Sequence, residues 1–270
     1  MIQLKEKFGT WAIVTGASSG IGKEFAVQLA NQGLNIILLA RRGNLLEELS
    51  NNLRTKYNIQ VKYMAMDLTD DNFIKNIEKL ADKLDIGLVI SNAGGARMGA
   101  FNKIPMIDFE AMIKLNVFAQ MKISHWYTSR RIKENKKGGV LLVSSTAAYQ
   151  GVPYAANYSA AKAYILNLGE ALNFEYKNKG INITTLVPGP TNTPGLTENP
   201  DADMISNMPM KPQPVDQLVK EGISAILKNK PSYIGGRMNR IMAGIMKTLI
   251  SRKRASAFWG KMTYKMVHIK

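Results

Sequence analysis

The chain contains no cysteine, which removes disulfides, thiolate nucleophiles and cysteine zinc sites from consideration and suits a reducing compartment. Histidine is almost as scarce: His125 and His268 are far apart in sequence, so no metal-ligand set is legible. No serine sits in a GxSxG elbow, which excludes a Ser-His-Asp hydrolase of that type. No uninterrupted apolar run reaches the roughly 18 residues of a membrane span, and residues 1–8 are too short and too charged for a signal peptide, so a cytoplasmic protein is expected. Acidic residues are missing from everything after Glu221. They number 20 against 36 Lys and Arg, a formal charge of +16, and the final stretch is purely basic. That balance favours anionic partners: phosphorylated cofactors, coenzyme A thioesters, anionic lipid or nucleic acid.

What is present is enough apolar content, 46% of 270 residues, to bury one large core. Short β-branched runs alternate with amphipathic stretches. They begin at Trp11, Asn35, Val61, Ile86, Val140 and Ile181, with a weaker seventh at Ser232-Tyr233-Ile234. Strands that read as continuous apolar runs are covered on both faces, and strand–helix alternation makes them parallel. The expected fold is α/β, a doubly wound Rossmann-type sheet. Seven prolines fall between residues 188 and 214, marking a long loop over the carboxyl edge, and loops of that length are usually functional.

The chemistry concentrates at that edge. Gly16-Ala17-Ser18-Ser19-Gly20-Ile21-Gly22 joins the first strand to the first helix, where glycines let the backbone approach a pyrophosphate and the helix end supplies unpaired N–H groups. A Gly-rich turn with no ligand is the plainer alternative. The second strand ends in Leu39-Ala40-Arg41-Arg42, where an NAD-binding protein would show an acid; Arg41 and Arg42 instead match a 2′-phosphate, which favours NADP, unless they are simply solvated. Asp67 could accept from an adenine amino group or cap a helix. Asn92-Ala93-Gly94 brings small residues to the end of the fourth strand.

Tyr158 and Lys162 stand at i and i+4, on one face of a helix. A free Tyr titrates near 10, so acid–base work near neutrality asks for a drop worth roughly 4 kcal/mol. One ammonium about 4 Å away supplies about that much at an effective dielectric of 20. Ser145, at the end of the fifth strand, could hold a carbonyl oxygen beside the Tyr hydroxyl or merely satisfy the strand end, while Ser144 points to the opposite face. Asn116, inside a helical stretch over 112–131, is a candidate for relaying protons to Lys162 through water. Pro188-Gly189-Pro190-Thr191-Asn192-Thr193 leaves the sixth strand; Thr191 and Thr193 could bond a nicotinamide carboxamide or form a turn.

Taken in order, Thr15-Gly16-x-x-x-Gly20-x-Gly22, Asn92-Ala93-Gly94, Asn116, Ser145, Tyr158-x-x-x-Lys162 and Pro188-Gly189 resemble the short-chain dehydrogenase/reductase family over about residues 8 to 235. Ser91 stands where the family usually has a further Asn. The segments from Phe8 to Gly16 and Ile90 to Gly94 look like the branch of 17β-hydroxysteroid dehydrogenases and 3-ketoacyl-CoA reductases. The resemblance implies a seven-stranded parallel sheet, a dimer or tetramer, and an Asn116-Ser145-Tyr158-Lys162 tetrad in which Lys162 also bonds the nicotinamide ribose; Arg41 and Arg42 make NADP(H) the expected cofactor. A ketone or aldehyde, lipid-like or acyl in character, would be reduced, or the alcohol oxidised, with Tyr158 as general acid/base. The alternative is a catalytically silent NADP-binding regulatory or interaction protein.

Residues 1–236 read as the catalytic domain and 237–270 as a basic helical tail. Met238, Ile241, Met242, Ile245, Met246, Leu249 and Ile250 form one apolar stripe, and Ala255, Phe258, Trp259, Met262 and Met266 a second, with Arg252-Lys253-Arg254 between. Packing on the domain or a partner subunit, contact with an anionic membrane, and nucleic-acid binding through Phe258, Trp259 and Tyr264 are three readings of these residues. Nucleic acid is the least favoured of them.

Overall fold

The computed structural model describes residues 4–197, 211–248 and 250–268. Helix α1 (Leu4–Phe8) leads into β1 (Trp11–Thr15), α2 (Gly20–Asn31), β2 (Asn35–Ala40), α3 (Gly43–Tyr57), β3 (Val61–Ala65), α4 (Phe73–Leu80) and β4 (Ile86–Ser91). The second half runs through α5 (Met106–Ile113), a π-turn (Lys114–Phe118), α6 (Ala119–Lys133), β5 (Gly138–Val143), α7 (Ala156–Tyr176) and β6 (Ile181–Val187). Two short strands, β7 (Thr191–Asn192) and β8 (Gln213–Pro214), pair with each other. A small helix α8 (Pro194–Thr197) follows β7, and α9 (Val215–Leu227), β9 (Ser232–Ile234), α10 (Arg237–Thr248) and α11 (Arg252–His268) complete the chain. Of the expected proline-rich loop over 188–214, residues 198–210 lie outside the described residues.

Seven parallel strands form the main sheet in the order β3-β2-β1-β4-β5-β6-β9. The apolar runs serve two cores because successive side chains face opposite ways. Ala12, Val14, Leu38, Leu88, Ile90 and Leu141 meet Phe25 and Leu29 of α2, Leu46 of α3 and Ile223 of α9 on one face. Ile13, Leu39, Val89, Val140 and Leu142 meet Phe73 and Ile77 of α4, Ile123 and Tyr127 of α6 and Ile165 of α7 on the other. The chain leaves β1 outward to β2 and β3, then returns to lay β4 on β1's other side. This reversal opens a crevice between the carboxyl ends of β1 and β4, where doubly wound sheets bind ligands.

Two features differ from the sequence reading. Residues 4–8 are helical, and Leu4 and Phe8 seal the bottom of one core at 1% exposure each. The helical stretch expected over 112–131 is present but contains a π-turn, which places Asn116 inside an extra-wide turn; such bulges recur at functional sites.

Tyr127 ties the bottom of the sheet together. Its buried hydroxyl donates to Gly87 O at 2.5 Å and accepts from Gly139 N at 3.2 Å, bridging β4 and β5. Tyr127→Phe strips both strands of a partner that water cannot replace, and is expected to cost about 1–3 kcal/mol, read as a lower urea midpoint with an unchanged m-value.

Candidate active site

Along the carboxyl ends of the strands runs a cleft of ≈ 1220 Å³. Its floor is set by the hydroxyl of Thr15, which accepts from Asn92 N at 2.9 Å and Ala93 N at 3.0 Å, while Asn92 Nδ2 donates to Thr15 O at 3.0 Å. The loop that follows needs its glycines for space. Gly16 has φ +65°, and a Cβ on Gly22 would lie 2.3 Å from Gly16 O and 2.6 Å from Asn92 Nδ2. Helix α2 opens at Gly20 with no acidic residue in its first turn and no side-chain cap from Ser19. Its unpaired N–H groups and partial positive charge therefore face the cleft, a ready anion site.

Arg42 reaches back over this loop: its Nη2 donates to Ser18 Oγ at 2.9 Å and Ser19 Oγ at 2.7 Å, and Nε to Ser18 Oγ at 3.2 Å. Arg41 lines the same cleft and acts on Asp67. The Thr69 backbone N–H (2.9 Å), resisted by burial and assisted by the Thr69 hydroxyl (2.8 Å) and the Arg41 charge, holds the Asp67 carboxyl below the usual range. Asp67 thus anchors a turn; α4 starts later, with Asn72 at its cap position.

The second cluster sits where β5, α7 and the π-turn meet. Ser144 and Ser145 follow the end of β5 and both border the cleft: Ser144 Oγ donates to Lys162 O at 2.7 Å, tying α7 to the end of β5, while Ser145 lies with Tyr158 and Lys162. Lys162 Nζ donates to Val143 O at 3.0 Å. Asn116 donates from Nδ2 to Gly95 O at 2.8 Å and Met112 O at 2.9 Å. A Cβ at Gly94 would lie 2.7 Å from Asn116 Oδ1 and 3.2 Å from Lys162 Nζ, so only glycine lets the β4 end nestle between these two side chains.

Electrostatics here depart from the expectation that Lys162 drags Tyr158 down. Burial pushes the Tyr158 hydroxyl up, with hydrogen bonding to Ser145 pulling partly back, and burial alone pulls Lys162 down to about 8. The ammonium is engaged by Val143 and lies 5.7 Å from the Tyr158 ring centre. In this dry corner desolvation disfavours both charged forms and outweighs their attraction.

Beyond Asn116, Ser145, Tyr158 and Lys162 the cleft wall is largely apolar, with Met98, Met112, Leu115, Val152 and Leu196 beside the polar Thr146 and Gln150, and Arg97 pairs with Asp108 at the mouth at 2.8 Å. Pro188, Gly189, Thr191 and Thr193 line the opposite wall; Thr191 Oγ1 is donated to Gly189 O at 2.9 Å. The tail supplies residues that sequence reasoning did not assign to the site. Trp259, Met262 and Thr263 of α11 line the cleft, and Thr263 Oγ1 donates to Pro153 O at 2.9 Å. The amphipathic pattern of α11 was the available signal, but it does not name the surface that the helix covers. The α10 stripe faces outward instead, with Met238, Ile241 and Ile245 at 60%, 46% and 39% exposure.

A glycine cradle, a helix N-terminus and a Ser145-Tyr158-Lys162 cluster on one crevice match a known pattern: residues 10–203 fit the family model described as short chain dehydrogenase. The chain belongs to the short-chain dehydrogenase family. It is similar to the 7beta-hydroxysteroid dehydrogenase of Clostridium sardiniense, 30% identical over 240 residues that make up 88% of this chain and 90% of that one. To the very-long-chain 3-oxoacyl-CoA reductase of Rattus norvegicus it is 33% identical over 186 residues, 67% of this chain but only 59% of that enzyme. A solved 7beta-hydroxysteroid dehydrogenase structure superimposes with TM-score 0.87 at 26% identity, covering 96% of this chain and 99% of the other. A short-chain dehydrogenase from Sphingobium yanoikuyae in complex with NADPH gives 0.76 at 26%, covering 97% and 96%. The chain therefore falls in the hydroxysteroid dehydrogenase and ketoacyl reductase branch, as an oxidoreductase of alcohol and carbonyl groups using a nicotinamide cofactor. Members of the family act on small molecules and typically form oligomers.

Proposed function

We propose that this chain is an NADPH-dependent reductase of a bulky, apolar ketone or aldehyde, with Tyr158 as the proton donor. The observation that carries the reading is the meeting of Ser145, Tyr158 and Lys162 on one wall of the cleft, directly across the strand ends from the Gly16–Gly22 cradle. Bound there, the nicotinamide supplies hydride to the carbonyl carbon. Ser145 and Tyr158 hold the carbonyl oxygen between their hydroxyls, and Tyr158 passes its proton to that oxygen as charge develops on it. A Tyr pushed up by burial stays protonated at neutral pH, the state a reductase needs. Lys162 contributes its ammonium and a hydrogen bond to the nicotinamide ribose, and Asn116, fixed in the π-turn, connects Lys162 to a proton relay.

The residues present fit an NADP(H) phosphate. The space over Gly22 and the free N–H groups of α2 suit the pyrophosphate, and the Arg42 fork, already seated on Ser18 and Ser19, suits a 2′-phosphate. The NADPH complex of the Sphingobium yanoikuyae relative supports the same choice. Asp67 serves the adenine, and Thr191 and Thr193 the carboxamide. The apolar wall, together with relatives whose names denote steroid and long-chain acyl chemistry, supports a lipid-like or acyl substrate. Residues 1–236 form the catalytic unit, and 237–270 an extension whose α11 covers the substrate side. The outward stripe of α10 is left for a second copy or for an anionic membrane surface, which sedimentation and vesicle flotation separate. A cytoplasmic location goes with this reading.

Arg42→Ala is expected to weaken NADPH by about 1.5–3 kcal/mol, the loss of a charge-assisted hydrogen bond, while NADH changes little and Arg41→Ala has the smaller effect; equal affinities of the parent protein for the two cofactors would refute the NADP assignment. Tyr158→Phe is expected to abolish turnover with NADPH binding largely retained, and activity surviving in that variant places the acid elsewhere. The pH profile follows from Lys162. With its pKa lowered to about 8 it is cationic below that value, so reductive kcat/KM is expected to hold level up to about pH 8 and fall above it.

A further inference from the structure

Three glutamines are buried in the described structure: Gln120, Gln150 and Gln213, at 1%, 8% and 7% exposure. Gln120 donates from its amide to Asn116 O at 3.2 Å, and Gln213 to Glu221 Oε2 at 3.1 Å. Gln150 is different. The residue lines the cleft, its side chain has no hydrogen-bond partner among the described residues, and its amide is not sealed off as Gln120 Oε1 and Trp259 Nε1 are. We read the little surface it keeps as belonging to the cleft that the residue lines. A primary amide carries two N–H donors and a carbonyl acceptor, and burying it without partners is unfavourable. Such a group persists where something other than the protein meets it.

Position makes the partner specific. Gln150 follows the short helical turn that Ser145 caps, with extended backbone at φ −150° and ψ 163°, and lies between Ser145 and Tyr158 in sequence. Much of the neighbouring wall is apolar or already paired: Val152, Ala155 and Met262 are apolar, the Thr263 hydroxyl donates to Pro153 O, and Arg97 is held by Asp108, which leaves the Thr146 hydroxyl as the other polar side chain of this stretch.

We propose that Gln150 is a substrate-selecting residue whose amide reads a second oxygen function on the substrate, a hydroxyl or a further carbonyl apart from the one being reduced. The proposal rests on the cleft being the carbonyl-binding site argued above, and it narrows the substrate to bulky ketones that carry another hydrogen-bonding oxygen. A site built to bond such an oxygen discriminates strongly against the analogue that lacks it, because its own polar group is then stranded.

The test pairs probes that differ only in that oxygen: a 7-ketosteroid with and without a first-ring hydroxyl, and a 3-oxoacyl thioester against the matching 3-oxoalkyl thioether. The first pair reports a hydroxyl source and the second a carbonyl source. Full-length protein, Gln150→Leu and Gln150→Met are compared by NADPH-dependent kcat/KM and, independently of turnover, by calorimetric affinity with NADP+ present. For at least one pair the parent is expected to prefer the oxygenated member by about 10- to 100-fold, with both variants losing most of that preference. NADPH affinity should stay unchanged, and the melting temperature unchanged or raised, because an unmatched amide has been removed. A parent that shows no preference in affinity, or variants that keep it, overturns the proposal even if turnover is robust. Preference that disappears in the variants while no probe is reduced upholds Gln150 and defeats the reductase reading instead.

Discussion

The Thr15 hydroxyl, bonded at once to Asn92 N and Ala93 N, is the contact on which the rest of the site depends. It fixes the end of β1 against the end of β4 at the point where the strand order reverses. Everything placed by those two ends inherits its position from it: the Gly16–Gly22 cradle and α2 on one side, and the Asn92–Gly95 segment on the other. Gly94 and Gly95 in turn touch Asn116 and Lys162. One hydrogen-bonded threonine thus sets the distance between the place for a pyrophosphate and the place for a reacting carbonyl. An error of an ångström there would be felt in catalysis, since orientation of the reacting groups supplies much of an enzyme's rate.

The second organising term is desolvation. The same enclosure that keeps water from a reacting centre also works against the charges placed in it, raising Tyr158 and lowering Lys162. For a reductase this is productive. The tyrosine is held in its donor form, the lysine remains cationic at neutral pH, and Ser145 is positioned to share a developing negative charge. In the proposed mechanism, oxidation of an alcohol would begin from a tyrosinate that burial disfavours, which is why reduction is the direction proposed.

Much of this was legible in sequence. The strands were, because a run such as Trp11–Thr15 that is apolar on both faces has few other places to go, and its alternation splits it between two cores. Tyr158 and Lys162 were, because a helix period fixes their common face whatever the surroundings. What sequence could not carry was non-local. The helix at Leu4–Phe8 exists because two side chains find a core entrance formed by β4 and β5. The π-turn at Asn116 depends on hydrogen bonds to Gly95. The tail's two stripes look alike on paper, yet α11 turns Trp259 and Met262 into the cleft while Met238 and Ile241 of α10 remain outside. Even the Tyr158 ionisation was misjudged for this reason: a spacing gives a distance between charges, but only the packed structure gives the cost of burying them.

The central claim, that a carbonyl carbon is held against a reduced nicotinamide while Tyr158 serves its oxygen, is tested most directly by isotope transfer. The full-length enzyme is given NADPH carrying deuterium on one face of C4, then on the other, with a ketone that it consumes. The account predicts that one labelled form, and not the other, delivers its deuterium to the carbinol carbon of the product, and that the alcohol proton comes from solvent. Product alcohol without deuterium from either form, or NADPH oxidation uncoupled from any carbonyl reduction, would contradict it.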